Sequence, residues 1–345
     1  MSRPPLVTGP WRLEDLRAFK IGAPKNGLKV FSCFHCGGGS SMGYKLAGFD
    51  VMGGVEIDPE MMSIYRANHS PRHSYLMGVQ EFKNLPDADL PKELFDVDVL
   101  DGSPPCSSFS MAGAREKKWG TASKFREGQA VQVLDDLFFD FIEIAKKLRP
   151  KVVVSENVKG LISGNARGYV KEIFQKFREA GYDTQLFLLN AARMGVPQAR
   201  ERTFFVSRRT DLKLQKVELS FTEPEIPTEK AFEGICTKGE PLTPLFTNYW
   251  HRVSQGEGLG VIGKFNQYKK IHRRKPAFTQ TATLRLMHFA YPNKLSDEEV
   301  MRLQTYPDDF NFCGSDPGYV CGMSVPPFMM QRVADQVARQ LFKIE

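Results

Sequence analysis

Three short stretches of this chain carry side chains that could act together on a substrate. The first is Asp101-Gly102-Ser103-Pro104-Pro105-Cys106-Ser107-Ser108-Phe109-Ser110. A thiol placed directly after two prolines is held on stiff backbone, because each ring fixes φ and removes a ladder donor. As a thiolate, Cys106 would be a nucleophile held at a fixed place outside the carboxyl end of a strand. Free cysteines are also often small buried hydrophobes, and the stretch alone leaves both readings open. The second stretch is Glu156-Asn157-Val158, which offers a carboxylate able to give or take a proton. The third is Gln198-Ala199-Arg200-Glu201-Arg202, whose guanidinium groups could clamp a phosphate or a base edge, or simply keep a sheet edge soluble.

Each stretch needs an element to hold it. Phe95-Asp96-Val97-Asp98-Val99-Leu100 reads as a buried strand leading to Cys106, Val152-Val153-Val154-Ser155 as one running into Glu156, and Thr203-Phe204-Phe205-Val206 as one following Arg202. In open α/β sheets ligands collect outside the carboxyl ends of strands, so these groups are expected at one rim. Upstream, Leu28–Cys33 reads as the first strand, followed by Phe34-His35-Cys36-Gly37-Gly38-Gly39-Ser40-Ser41 and a helix from Met42 that Gly48 stops. Strand, glycine loop and helix let backbone approach a cofactor closely. The strand Asp50–Glu56 then ends in Glu56-Ile57-Asp58, and an acid at that point is how doubly wound folds hold ribose hydroxyls. The loop lacks a P-loop lysine, and no second Cys-x-x-Cys exists to complete a zinc site with Cys33 and Cys36, so no metal is predicted. Helices over Glu60–Asn68 and Tyr169–Ala180, strands near Tyr75–Val79 and Gln185–Leu189, and a helical face running Val131, Leu134, Leu137, Phe138, Phe141, Ile142, Ala145 and Leu148 continue the alternation. A closing helix over Pro326–Phe342 presents Met330, Val333, Val337 and Leu341 as a core stripe. The fold class is α/β, doubly wound.

The chain has 345 residues, enough to bury a sizeable core, and its 41% apolar and 25% charged content is that of a globular protein. No apolar run approaches a membrane span and the start has no apolar leader, so a cytoplasmic, nucleoid-associated protein without membrane contact is expected. Six scattered cysteines suit a reducing compartment. A net charge of +7 is modest, and its distribution says more. Residues 111–129 form a long loop with Gly113, Gly120 and Gly128 beside Arg115, Lys117, Lys118, Lys124 and Arg126, which reads as a basic lid next to Cys106. Residues 208–298 lose the α/β rhythm. Between Tyr249 and Lys275 seven basic residues, Lys269, Lys270, Arg273 and Arg274 among them, meet a single acid, Glu257, with Trp250, Phe265 and Tyr268 interleaved. Such a mixture supplies phosphate attraction and stacking surfaces, and it favours a nucleic-acid contact over a plain solvated face.

Taken in order, Phe34 to Gly39, Pro105-Cys106, Glu156-Asn157-Val158, Gln198-x-Arg200-x-Arg202, Arg302-Leu303-Gln304-Thr305-Tyr306-Pro307 and Gly322-Met323-Ser324-Val325-Pro326-Pro327 resemble the motif series of the cytosine-C5 DNA methyltransferases, compact prokaryotic or phage-like members in particular. The resemblance covers roughly residues 28–342 and implies a Rossmann-like S-adenosylmethionine-dependent catalytic domain (1–208 and 312–345) with a smaller target-recognition domain (209–311). It implies transfer of a methyl group from S-adenosylmethionine to C5 of a flipped-out cytosine in double-stranded DNA through a covalent adduct at C6. Cys106 would be the nucleophile, Glu156 would bond cytosine N3 and N4, Arg202 would hold O2, Arg200 would anchor the catalytic loop or backbone, and Asn157 would position the proline-cysteine turn.

Phe34, Gly38 and Gly39 would line the cofactor, Glu56 its ribose, Ile57 its adenine, Pro104 the pocket edge and Ser324 the methionine end; Ser110, Arg115, Lys269, Lys270, Arg273 and Arg274 would meet DNA. A monomer is expected, with a restriction endonuclease as a possible companion in the same cell. Four positions depart from the family pattern: Cys36 replaces a glycine, Gly78 an acid that meets the adenine, Met323 an asparagine and Ser107 a glutamine. The first three bear on cofactor affinity. Two other readings are carried alongside: a tRNA methyltransferase, whose Cys-Phe-Thr element is not found here, and a weakly active DNA-binding subunit, against which the intact Cys106, Glu156, Arg200 and Arg202 argue.

Overall fold

The structure, a computed structural model, describes residues 6–14, 16, 26–105, 122–123, 132–133, 136–162, 167–263, 268–283 and 285–344. Seven strands form the main sheet: β1 (Lys29–Cys33), β2 (Asp50–Glu56), β3 (His73–Leu76), β4 (Val99–Gly102), β5 (Val152–Val158), β6 (Tyr182–Asn190) and β7 (Glu201–Arg209). They lie side by side in the order β3-β2-β1-β4-β5-β7-β6. Every pairing is parallel except those of β7, which runs antiparallel to β5 and β6. From β1 the chain winds outward through β2 and β3, then returns to lay β4 on the other flank of β1. That reversal opens a crevice beyond the carboxyl ends of β1 and β4, where ligands bind in doubly wound folds.

Helices cover both faces. They are α1 (Gly39–Leu46), α2 (Pro59–His69), α3 (Val79–Asn84), α4 (Leu137–Leu148), α5 (Arg167–Glu179), α6 (Pro244–Arg252), α7 (Asp297–Leu303), α8 (Pro317–Met323) and α9 (Pro327–Phe342). Alternate strand residues serve opposite layers, as the two-residue period of a strand requires. Val30, Val99, Val152 and Val154 pack with α1 and α9, whereas Phe31, Leu100 and Val153 pack with α3, α4 and α5. The stripe on α9 enters the first of these cores as the sequence predicts: Met330, Val333, Val337 and Leu341 are all buried. Asp58 caps α2 by accepting from the Glu60 and Met61 amides, with Pro59 in the first turn, a start worth roughly 1 kcal/mol.

Several element boundaries differ from the sequence expectation: β3 spans His73–Leu76 and Val79, expected in that strand, opens α3, while α1 starts at Gly39 rather than Met42. Lys92–Asp96 form a 3-10 turn, so the strand that leads to Cys106 begins at Val99. Pro91 caps the start of that turn, and Phe95 and Asp96, expected to open the strand, belong to it. The helical face expected from Val131 begins at Leu137, with Gln132–Val133 instead paired to Ala122–Ser123 in a short ladder; Val131 and Leu134 lie outside the described residues.

After β7 the chain does not simply leave the large core. Val217, Leu219, Phe232, Ile271, Ala277, Leu286 and Leu295 all pack into the layer shared with α1 and α9. A separate small cluster comprises Trp250, Val253, Leu259 and Met287. At roughly 1.5–3 kcal/mol per buried side chain, four residues cannot organise this region alone, and it depends on the contacts that root it in the large core.

Candidate active site

The carboxyl ends of β1, β4 and β5 and the amino end of the antiparallel β7 share one rim, and Phe34, Pro104, Glu156 and Arg202 stand along it. β5 and β7 pair with Glu156 opposite Phe204 and Arg202 opposite Val158. Glu156 and Arg202 therefore face each other diagonally, and Arg202 Nε lies 2.9 Å from Glu156 Oε1. Both side chains are largely shielded. Arg202 also donates from Nη1 to its neighbour's carbonyl, Glu201 O, at 2.8 Å, which leaves one edge of the guanidinium for a partner. A low-dielectric ion pair is costly to desolvate and strongly oriented once formed, so the pair presents a carboxylate and a guanidinium at a fixed angle.

Asn157 points the other way along the same rim. Its Nδ2 donates to Pro104 O at 3.0 Å, and its Oδ1 accepts from the Val158 amide at 2.8 Å. The side chain thus ties the end of β5 to the turn that follows β4, as expected for a residue that positions the proline-cysteine segment. Cys106 itself, with Ser107, Ser110, Arg115 and the loop over 111–129 except Ala122 and Ser123, lies outside the described residues.

Arg200 is placed with Glu156 and Arg202 on the sequence but not at the rim. It is 2% exposed. Nη1 donates to Gln280 O at 2.9 Å, and Nη2 to Gly322 O and Ser324 O, both at 3.0 Å. These bonds make it an anchor of backbone, not a group that reaches substrate. Around it lies a network that the sequence did not disclose. Gln198, Gln280 and Gln304 are fully buried. Gln198 donates to Gln304 Oε1 at 2.8 Å and accepts from the Gln280 amide at 3.0 Å, while Gln304 donates to Ser324 O at 2.7 Å. The segment that leads into β7, the segment around Gln280 and the segment holding Ser324 are fastened at one point. Buried amides with every bond made specify a unique arrangement of the chains they join.

The glycine loop is tightly wound and leaves its backbone open to a group that could lie against it. Phe34 (φ 56), Cys36 (φ 50) and Gly38 (φ 97) all take left-handed backbone. A Cβ on Gly39 would meet Val325 O at 2.4 Å and Ser324 Cβ at 3.1 Å, so the loop is pressed against the segment containing Ser324. Glu56 fixes the far side. Its Oε2 accepts from the Cys36 amide at 2.9 Å, and its Oε1 accepts from Ile57 at 2.9 Å and Asp58 at 3.0 Å. Burial raises the carboxyl pKa of Glu56, and the three amides oppose it. Oε2, with one such donor, keeps acceptor capacity for a ribose hydroxyl. Ser324 is buried, receives the Tyr306 hydroxyl at 2.7 Å and donates to Val320 O at 2.8 Å. Cys36 is no second nucleophile: burial pushes its thiol up to about 12. The arrangement suits a nucleoside cofactor whose ribose meets Glu56.

Gly78 is the N-cap of α3 and stands beside Ile57, whose Cδ1, at 3.6 Å, is the only neighbour among the described residues within 4 Å of an added Cβ. The site therefore has room for the acid that the family pattern expects. Gly78→Asp is expected to fold with stability equal to or slightly above the parent, since aspartate is a better helix N-cap than glycine by a few tenths of a kcal/mol. One added hydrogen bond to the adenine would tighten S-adenosylmethionine binding by about tenfold, which calorimetric titration would read directly.

The basic candidates of the 249–275 region separate into groups. Lys270 must be reassigned: it is buried, donates to Trp250 O at 3.3 Å and Val253 O at 3.2 Å, and sits 3.5 Å from the Trp250 ring centroid. An ammonium so engaged holds the small cluster together and has no reach to a phosphate. Lys269 lies 4.7 Å over the Phe278 ring, Arg273 is exposed and pairs with Glu229 at 2.5 Å, and Arg274 is exposed.

These features define a class. The strand order, the glycine cradle and the acid after β2 are those of the S-adenosylmethionine-dependent methyltransferase fold, and comparison with solved structures agrees. A putative DNA modification methyltransferase encoded within an E. coli prophage superimposes with a TM-score of 0.71 at 20% identity, covering 91% of this chain and 99% of that one. The S. pombe Dnmt2 methyltransferase gives 0.62 at 15% identity, covering 92% and 99%. In sequence, the profile of C-5 cytosine-specific DNA methylases matches residues 28–257 and 246–339. The Type II methyltransferase M.FnuDI of Fusobacterium nucleatum is 33% identical over 91% of this chain and 95% of its own, and M1.HphI of Haemophilus parahaemolyticus 30% identical over 90% and 87%. The chain belongs to the C-5 cytosine-specific DNA methylase family and is a DNA (cytosine-5-)-methyltransferase.

Proposed function

We propose that the protein methylates C5 of a flipped-out cytosine in double-stranded DNA, using S-adenosylmethionine and a transient bond between Cys106 and C6. The observation that carries this reading is the Glu156–Arg202 pair, fixed on β5 and β7, with Asn157 gripping the carbonyl of Pro104 two residues before Cys106. Cytosine C5 is a weak nucleophile. Addition of the Cys106 thiolate to C6 gives it enamine character, and Glu156 favours that addition by sharing a proton with N3 and accepting from N4. Arg202 holds O2 through its free edge. Bound cofactor supplies an electrophilic methyl to C5. Loss of the C5 proton then expels the thiolate and restores the ring. Because C6 is unreachable inside a duplex, the base must leave the stack at a cost of a few kcal/mol, and the basic segment over 111–129 is the candidate lid.

Phe34, Gly38, Gly39, Glu56, Ile57, Pro104 and Ser324 would hold the cofactor. Residues 209–311 would carry target recognition, with Lys269, Arg273 and Arg274 toward the phosphates. Since its relatives are named Type II methyltransferases, a role beside a restriction endonuclease is the reading for this chain. No helix of the described residues is long and apolar enough to cross a membrane.

The reading is tested by incubating purified protein with methyl-labelled S-adenosylmethionine and either mixed duplex DNA or tRNA in parallel reactions. Label in DNA is expected; label only in tRNA, or nowhere, would overturn it. Cys106→Ser is expected to abolish the denaturation-resistant complex with 5-fluorocytosine duplex, seen as a gel shift. Persistence of that complex would mean another residue makes the bond.

A further inference from the structure

One buried acid in this site has no part in the reaction just described. Asp101 closes β4 and is 2% exposed. Its backbone pairs Ser32 on β1 and Val154 on β5. Side chains so paired share a face of the sheet, and Glu156, two residues beyond Val154, shares it too. Asp101 Oδ2 accepts from Ser40 Oγ at 2.9 Å and from Ser32 Oγ at 3.2 Å. Ser40 belongs to the first turn of α1, directly after the glycine cradle. Oδ1 is buried, and the buried hydroxyl of Tyr44, one turn further along α1, interacts with the same carboxyl and favours its anion as the serines do. Four residues separate Asp101 from Cys106. A single carboxyl therefore touches the helix that opens the cofactor cradle, the strand that precedes that cradle, and the strand that delivers the nucleophile.

We propose that Asp101 is a positioning residue for methyl transfer, clamping the first turn of α1 to the end of β4 so that the cofactor cradle and the proline-cysteine turn keep one spacing. The inference rests on the methyltransferase reading of the site. Nothing in the clamp touches substrate. It acts by holding two segments that must meet the same cytosine from different strands, where a displacement of about 1 Å can cost on the order of a hundredfold in rate.

The carboxyl is suited to act as a neutral group. Burial, ahead of the nearby Glu156 charge, lifts its pKa from 3.8 to about 7, against the serine hydroxyls that favour the anion. The folded protein then binds a proton that the unfolded chain releases near 3.8, so this group's contribution to stability is full below that value, declines as pH rises toward about 7, and is level above it. Asparagine keeps an acceptor for both serines, places an N–H where Oδ1 stands, and removes the titration.

The test uses the full chain and two separate readouts: S-adenosylmethionine binding without DNA, and kcat on duplex DNA at saturating cofactor. Asp101→Ala is expected to weaken cofactor binding by about tenfold, the worth of two lost hydrogen bonds, and to lower kcat as well. Asp101→Asn should restore most of both and flatten the decline of stability between pH 4 and 7. Ser40→Ala, a smaller change for use if Asp101→Ala does not fold, should weaken cofactor binding several-fold. Alanine variants at 101 and 40 that melt earlier but keep parental cofactor affinity and kcat would overturn the proposal, as would Asp101→Asn as defective as Asp101→Ala. If the parent binds S-adenosylmethionine yet labels no DNA, the activity reading fails while the binding arm still judges the clamp.

Discussion

Gly38→Ala is expected to lose cofactor binding and several kcal/mol of stability together. Gly38 caps α1 with φ 97, a conformation that costs an L-residue about 1–2 kcal/mol. A methyl group would also stand 2.1 Å from His69 Nε2 and 2.9 Å from Tyr65 Cδ2. Whether such a clash is tolerable depends on whether the neighbour can move. His69 cannot yield easily, because it stacks on Tyr65 at 4.5 Å between centroids, and Tyr65 stacks on His35 at 3.7 Å. Tyr65 is fixed in turn by the hydroxyl of Ser41 at 3.0 Å. Overpacking of that kind adds about 1–3 kcal/mol. The loop must lift away from α2, carrying the cradle with it, and a loss of about 3 kcal/mol at the site is a weakening on the order of a hundredfold. Gly181→Ala is the control. Gly181 is also left-handed, at φ 89, but among the described residues nothing lies within 4 Å of its added Cβ, and it stands just before β6. That variant should lose only the backbone term, about 1–2 kcal/mol by denaturant melts, and bind cofactor as the parent does. Parental affinity in Gly38→Ala would show that the cradle does not depend on this close approach.

What the sequence revealed and what it hid divide by the range of the interactions involved. Glu56 stood out because its position after a strand and behind a glycine loop is a local pattern; its bonds to the amides of Cys36, Ile57 and Asp58 were not part of that pattern, and its ribose contact is a proposal. Asn157 was legible through its neighbours in a motif, and it does reach the Pro104 carbonyl. Lys270 was misjudged because a basic run between aromatics looks the same whether an ammonium faces solvent or folds back over Trp250. The amide network of Gln198, Gln280 and Gln304 left no trace, since its bonds span 82 and 106 residues and no periodicity marks a glutamine as buried. Asp101 did carry a signal: an acid closing the apolar strand Val99-Leu100 is a charge in a buried layer and asks for partners. Those partners, Ser32 and Ser40, are 69 and 61 residues away, and only the register of β4 on β1 brings them into reach.

The Glu156–Arg202 pair should separate catalysis from stability more sharply than any other site in the protein. Arg202→Met would leave the Glu156 carboxylate in a largely buried setting without its cation, and breaking a buried pair from one side costs about 3–5 kcal/mol. Glu156→Gln should cost less, because glutamine still offers Arg202 an acceptor. In the double variant neither charge is left stranded, and an uncharged pair of similar volume is often as stable as the ion pair it replaces. Denaturant melts are therefore expected to show a large loss in Arg202→Met and recovery of most of it in the double variant, a coupling of about 2 kcal/mol or more. Methyl transfer should not follow. On the proposed mechanism, every variant lacking Glu156 loses the proton shared with N3, a contribution of roughly 10²–10⁴ in rate, and every variant lacking Arg202 loses the contact to O2. The double variant should accordingly be stable, keep the parent's affinity for S-adenosylmethionine, and form little or no adduct with 5-fluorocytosine duplex. A stable double variant that still labelled DNA at the parental rate would remove both residues from the chemistry and reduce the pair to a strut between β5 and β7.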